Sequence, residues 1–326
     1  MGNPDLREIA AIESMAMDDI AGSTLAIDTH NWLYRYLTIV VRYTNSEAYT
    51  TSDGTEVANL IGIVQGVSKL LEHDITPVFV FDGIPTDLKE DEIKARRKSR
   101  KQREEQLETA KEEGDQVEIA RLQSQTQRLT PTILETSREL LSILDCPVIE
   151  APAEGEAQAA HMAKEGAVDG VGSEDYDTLL FGAPTTYRKL TSSGNIERMN
   201  LSKTLEKHDI SFEQLVAAGI LCGTDFNDGV HGFGPRTAIK AIKKHGTLDA
   251  VLEANNVEVP MADRIQSLFR DPTVTSEYKF DKSVAPDVDV AREYLTSNWE
   301  IEPTEIERSL ERITTATQQT GLDDWT

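Results

Sequence analysis

Apolar runs of strand length alternate with stretches of helical periodicity, and four of the runs lead into carboxylates. Thr24-Leu25-Ala26-Ile27 closes on Asp28, and Val78-Phe79-Val80-Phe81 closes on Asp82. The runs at 146–150 and 168–173 are followed by Glu154-Gly155-Glu156 and Asp175-Tyr176-Asp177. Between them, Val57 to Leu71 repeats apolar residues at helical spacing, and Thr130-Pro131 offers a capping hydroxyl and then a proline to a helix running to Leu144. An Ala-rich helix is predicted from Glu156 to Lys164. This alternation predicts an α/β fold, a mostly parallel central sheet with helices on both faces. Such sheets bind ligands beyond the carboxyl ends of their strands, where all these acids fall.

Carboxylates gathered at one place are costly unless a divalent cation offsets their charge. The donor set favours a hard cation. Six histidines are present, none in a ligand-spaced motif, and Cys146 and Cys222 are isolated thiols that read as buried and free. His30, two residues past Asp28, has no second histidine nearby and reads as structural or as a support for a ligand. Oxygen ligands suit Mg²⁺, and two such ions about 3.5–4 Å apart are the usual apparatus for hydrolysing a phosphodiester. Phe81-Asp82-Gly83 also resembles the nucleophile of haloacid-dehalogenase-type phosphatases, but position 84 is Ile, so their second acid is missing.

The charge balance is uneven. Lys+Arg 33 against Asp+Glu 57 gives −24 overall, yet Lys89 to Arg103 carries eight bases against three acids. In ordinary buffer such acidity argues against nucleic-acid binding; in molar salt, where the Debye length is about 3 Å, it argues much less. The basic block starts seven residues after Asp82, inside a polar, helix-like insertion from 84 to about 129 that breaks at Gly114-Asp115. An anion approaching the acids would meet it. No apolar run approaches the ~18 residues of a membrane span, so the expectation is a cytoplasmic protein without membrane contact.

From Ser211 the pattern is helical. Phe212 to Cys222 is followed by Gly223-Thr224-Asp225-Phe226, then by Gly232-Phe233-Gly234-Pro235 and a helix to His245. The Gly-x-Gly-Pro turn can present backbone N–H groups to a phosphate, and Arg236, Lys240 and Lys243/Lys244 share a face beyond it. That suits a grip on a nucleic-acid backbone without sequence reading.

With these residues in place, the chain resembles the flap endonucleases, archaeal members of the structure-specific 5′ nucleases with a PIN-like fold. The likeness runs from Met1-Gly2 through Ala26-Ile27-Asp28, Val78 to Gly83, Ala151-Pro152-Ala153-Glu154-Gly155-Glu156-Ala157 and Ser173-Glu174-Asp175-Tyr176-Asp177. It continues through Leu180-Phe181-Gly182, Gly223 to Phe226 and Gly232 to Pro235. The resemblance implies Asp28, Asp82, Glu154 and Glu156 as ligands of one Mg²⁺ and Asp175, Asp177 and Asp225 as ligands of another, with Asp228 a further acid through water. It implies Lys89 and Arg96 as catalytic contacts to the scissile phosphate, in a helical arch over 84–129 that admits a single-stranded flap. Arg97 and Arg100 would contact DNA, Tyr34 would stack on a base, and Gly2 would be the mature N-terminus beside the site. A helix–two-turn–helix carrying Gly232, Gly234, Arg236 and Lys240 would hold duplex DNA, with K⁺ in its turn.

The implied substrate is branched DNA with a 5′ flap, cut endo- or exonucleolytically in replication and repair by a monomer. One nuclease domain would span 1–310, with an N-terminal region to 83, an internal region over 130–245 and helices beyond. A flexible tail over 311–326 would end it. There Gln319, Leu322 and Trp325 are similar to a sliding-clamp-binding peptide, in which Leu and Trp plug an apolar pocket. Thr326 stands where a second aromatic is usual.

Overall fold

The computed structural model describes residues 6–43, 49–84, 106 and 129–323. Its frame is one seven-stranded sheet of β1 (Ala11–Met15), β2 (Thr24–Asp28), β3 (Thr76–Phe81), β4 (Val148–Glu150), β5 (Gly170–Gly172), β6 (Thr185–Arg188) and β7 (Ile196–Asn200). The strand order is β1-β7-β6-β5-β2-β3-β4. β6, β5, β2, β3 and β4 are parallel neighbours, and β7 runs antiparallel to both β6 and β1. The four expected strands are all present. The other three, β1, β6 and β7, were not anticipated from the sequence.

Alternation along the central strands sends side chains to opposite faces. Leu25 and Ile27 of β2 and Phe79 and Phe81 of β3 enter one core. That core is completed by α3 (Ala58–Glu72), α4 (Pro131–Ile143), α11 (Val288–Glu293) and α12 (Pro303–Asp323). Ala26, Val78 and Val80 enter the other core with α5 (Gly155–Lys164), α7 (Phe212–Cys222), α8 (Pro235–His245), α9 (Leu248–Asn255) and α10 (Ala262–Arg270). Both faces are covered, as the near-continuous apolar runs require. Three further helices, α1 (Leu6–Ile9), α2 (Thr29–Tyr43) and α6 (Leu201–His208), complete the described set.

Local chemistry sets the helix starts. Thr130 Oγ1 accepts from Ile133 N–H at 3.2 Å, with Pro131 in the first turn of α4. Ser211 and Gln214 exchange side-chain and backbone bonds in a capping box at the start of α7. Cys146 and Cys222 are buried, and neither is in a disulfide.

The division at 310/311 needs correction. α12 continues through Asp323, and Leu310 and Ile313 are both fully buried against the first core. An apolar residue each helical turn carries the helix past that boundary, so 311–326 is not a separate flexible tail from its first residue. Gln319 and Leu322 fall within α12, and Trp325 lies outside the described residues. The basic block with Lys89, Arg96, Arg97 and Arg100, the arch assigned to 84–129 apart from its ends and residue 106, and Gly2 also lie outside them.

Candidate metal centre

β2 sits where the strand order turns, with β3 and β4 on one side and β5 and β6 on the other. Crevices at such a switch point open beyond the carboxyl ends of the strands. Asp28 is the last residue of β2, and Asp82 directly follows β3. Asp175 and Asp177 follow β5, the latter opening a single 3₁₀ turn, Asp177–Leu179. Glu154 is the residue before α5 and Glu156 lies in its first turn, where the helix dipole favours a carboxylate. Asp225 lies in the connection from α7 to α8.

Hydrogen bonds tie these acids at two places. Asp82 Oδ1 accepts from Gly155 N–H at 2.7 Å, tying the end of β3 to the Glu154–Glu156 turn. A Cβ at position 155 would lie 2.6 Å from that same oxygen, so only glycine permits the approach. In the second group, Asp175 Oδ1 accepts from Asp177 N–H at 3.0 Å, and Asp177 Oδ2 from Asp225 N–H at 3.4 Å. Ser173 links Asp28 to this second group. Its hydroxyl donates to Asp28 Oδ2 at 3.0 Å and accepts from Asp175 N–H at 3.1 Å.

Electrostatics couples Asp28 to Asp82, and Asp177 to Asp175 and Asp225. Burial, and then the charge of Asp82, pushes the Asp28 carboxyl up to about 6. Burial, then Asp175 and Asp225, holds the Asp177 carboxyl well above the usual carboxylate range. His30 Nδ1 lies 2.7 Å from Asp82 Oδ2. Burial pulls its imidazole down, but the hydrogen bond to Asp82 and the charges of Asp82 and Asp28 outweigh it and raise its pKa. His30 thus stands against a carboxylate at the head of the site.

The donor set fits Mg²⁺: all its members are oxygens, and the buried Asp177 Oδ1 accepts no hydrogen bond among the described residues. Among those residues no three acids are yet gathered tightly enough to enclose one ion. Side-chain rotation about fixed backbone positions would have to draw them in, against the burial and the repulsion that raise Asp28 and Asp177.

Two profiles of one nuclease family match the sequence, the XPG N-terminal domain over residues 3–103 and the XPG I-region over 145–225. The flap endonuclease 1 of Haloarcula marismortui is 54% identical over all of both chains, and that of Haloquadratum walsbyi is 58% identical over the same span. The chain belongs to the flap endonuclease 1 family. Flap endonuclease-1 from Methanococcus jannaschii shares the architecture at a TM-score of 0.72 and 31% identity, covering 96% of this chain and 98% of its own. The catalytic core of Rad2 in complex with DNA substrate, 22% identical at a TM-score of 0.70, shares the fold.

Family membership puts the remaining residues in context. Tyr34 lies half-buried on α2, the helix that starts from Asp28. One connection, 223–234, carries both Asp225 and the glycine turn, with Gly232 at a φ of +88° and Gly234 capping α8. Asp228 is exposed within it. On α8, Arg236 is exposed with Glu8 at 3.6 Å, and Lys240 is exposed. Lys243 is already engaged by His208 O and Asp209, which leaves less of the expected basic face open. Among the described residues no helix is long and apolar enough to cross a membrane.

Two groups escaped the sequence reading. Ser173 lay within a quoted motif without a role, and Arg188 had no signal at all because its partners come from the loop after β5 and from β7.

Proposed function

We propose that this chain hydrolyses phosphodiesters at 5′ flaps with two Mg²⁺ ions, leaving a 5′-phosphate and a 3′-hydroxyl. As a member of its family it is a structure-specific 5′ flap nuclease of DNA replication and repair. The observation that carries the two-ion reading is the Ser173 pivot. One hydroxyl donates to the Asp28 carboxylate and accepts from Asp175 N–H, so the acid ending β2 is held against the acids after β5, while Asp82 is tied separately to the Glu154–Glu156 turn.

Asp28, Asp82, Glu154 and Glu156 would hold one ion, and Asp175, Asp177 and Asp225 the other. Bound there, the cations supply an ionised water at neutral pH and offset charge on the phosphate. The chain's own work is to hold these oxygens at strand ends that cannot drift, since Asp28 and Asp82 extend paired parallel strands. His30, bound to Asp82, keeps that carboxylate oriented.

Lys89 and Arg96 would meet the scissile phosphate and stabilise charge that develops there. Arg97 and Arg100 would extend that contact, and Tyr34 would stack on a base beside the cut. Gly232, Gly234, Arg236 and Lys240 would grip the duplex backbone, with K⁺ in the turn. Gln319, Leu322 and Trp325 would tether a monomeric, cytoplasmic enzyme to the sliding clamp.

A flap-cleavage assay with Mg²⁺ in molar KCl tests this reading. Wild type should cut a 5′ flap and Asp175→Ala should bind the same DNA without cutting. Binding without cutting by both proteins would instead identify a DNA-binding adaptor on this fold.

A further inference from the structure

Residues 173–177 alternate in destination. Asp175 and Asp177 join the acid cluster, whereas Glu174 and Tyr176 contact the end of β6, and there Arg188 engages both. Arg188 is only 8% exposed. Its Nε donates to the backbone carbonyl of Glu174 at 3.1 Å, and its Nη2 lies 3.7 Å from Glu174 Oε2. Its Nη1 donates to the Tyr176 hydroxyl, and the guanidinium lies 3.9 Å over the Tyr176 ring. Lys189, held at a φ of +63°, turns its N–H onto Glu174 Oε1 at 2.7 Å.

Behind this grip stands Glu197 of β7. It accepts from Arg188 Nη1 at 2.9 Å and from Arg7 at 2.9 and 2.8 Å, and Lys189 Nζ lies 2.7 Å away. Arg7 Nη1 also donates to the Tyr176 hydroxyl at 2.8 Å.

We propose that Arg188 is a positioning residue for the second ion site. It braces the chain on both sides of Asp175, so that Asp175 and Asp177 face the cation at fixed spacing despite their mutual repulsion. The proposal rests on the two-ion reading of the acids. A buried ion pair serving stability alone would need only Glu197. This guanidinium also holds the carbonyl and the hydroxyl of the two residues flanking a metal ligand. A planar fork makes those bonds together; an ammonium on a flexible stem does not. Partners behind metal ligands typically change metal affinity by about 10–100-fold when replaced.

The test is Mn²⁺ binding to the full-length, metal-free protein without DNA, followed by electron paramagnetic resonance. Arg188→Lys keeps the charge and should weaken binding by about tenfold, the low end of the range for such partners. The Mg²⁺ concentration for half-maximal flap cleavage should rise in proportion, and kcat should recover at saturating Mg²⁺. Arg198→Lys is the control. It alters another arginine–carboxylate pair of the same sheet, with Glu13 on β1, and should leave Mn²⁺ affinity unchanged.

Wild-type affinity in Arg188→Lys, or a loss no larger than in the control, overturns the proposal. If Arg188→Lys does not fold, Tyr176→Phe decides, because it keeps the ring and removes only the hydroxyl. Its affinity should fall as well, and wild-type affinity would overturn the proposal equally. Failure of wild type itself to bind Mn²⁺, with Asp175→Ala indistinguishable from it, would instead remove the two-ion reading on which the proposal stands.

Discussion

Single carboxylates in this site work against the fold until a cation reaches them. Asp177 is fully buried, its charge opposed by burial and by Asp175 and Asp225, and its Oδ1 accepts no hydrogen bond among the described residues. Asp177→Asn should therefore raise the melting temperature of the chelated protein by about 2–4 °C while abolishing flap cleavage. A lower melting temperature in scanning calorimetry would contradict this account. Gly155 makes the opposite case, since its lack of a side chain is its contribution. A Cβ there would push on Asp82 Oδ1, so Gly155→Ala should raise the Mg²⁺ requirement for cleavage and leave kcat at saturation less affected. A Mg²⁺ titration of initial rates reads both quantities.

At the level of elements, two connections hold the sheet's surroundings in place. α12 seals the core over α3, and Ile313 is fully buried there. Ile313→Ala should cost about 2–5 kcal/mol in urea unfolding, a loss that a flexible tail from residue 311 could not produce. Glu197 joins β7 to α1 and β6 through Arg7 and Arg188. Its hydrogen bond from Arg7, with those of its other cations, lowers its carboxyl from 4.5 to about 2. The folded state therefore favours the ionised group. That stabilisation is complete above about pH 4.5 and disappears as pH falls toward 2. Glu197→Gln should lower stability at neutral pH and flatten the fall in melting temperature across that window.

Across the whole molecule, a net charge of −24 repels itself, most strongly around the clustered acids. Divalent cations should therefore stabilise the fold as well as enable cleavage, by about 2.7 kcal/mol when Mg²⁺ exceeds its Kd a hundredfold. Melting with and without chelator at constant ionic strength checks this; an unchanged melting temperature refutes it. High salt relieves the general repulsion but weakens phosphate contacts. Stacking by Tyr34, geometric fit and clamp tethering would then carry more of the DNA affinity. Tyr34→Ala should lose more affinity at molar KCl than at low salt in a fluorescence anisotropy titration.

The sequence by itself determined the central strands, because β2 and β3 are apolar on both faces, and it placed the acids at strand ends. It also marked helix starts where Thr130 and Ser211 cap. β1 and β7 were not legible: Ala-Ile-Glu-Ser-Met and Ile-Glu-Arg-Met-Asn mix charge with apolar residues. β1 is a strand only because β7 lies beside it, and β7 because it lies between β6 and β1. The tertiary structure alone decided how the acids are held. Ser173 joins Asp28 to Asp175 only because β5 lies beside β2. Arg188 reaches Glu174 and Tyr176 only because β6 lies beside β5. Carboxylates show in a sequence because their charge is anomalous near apolar strands. The groups that orient them do not, because their partners are set by strand order rather than by spacing along the chain.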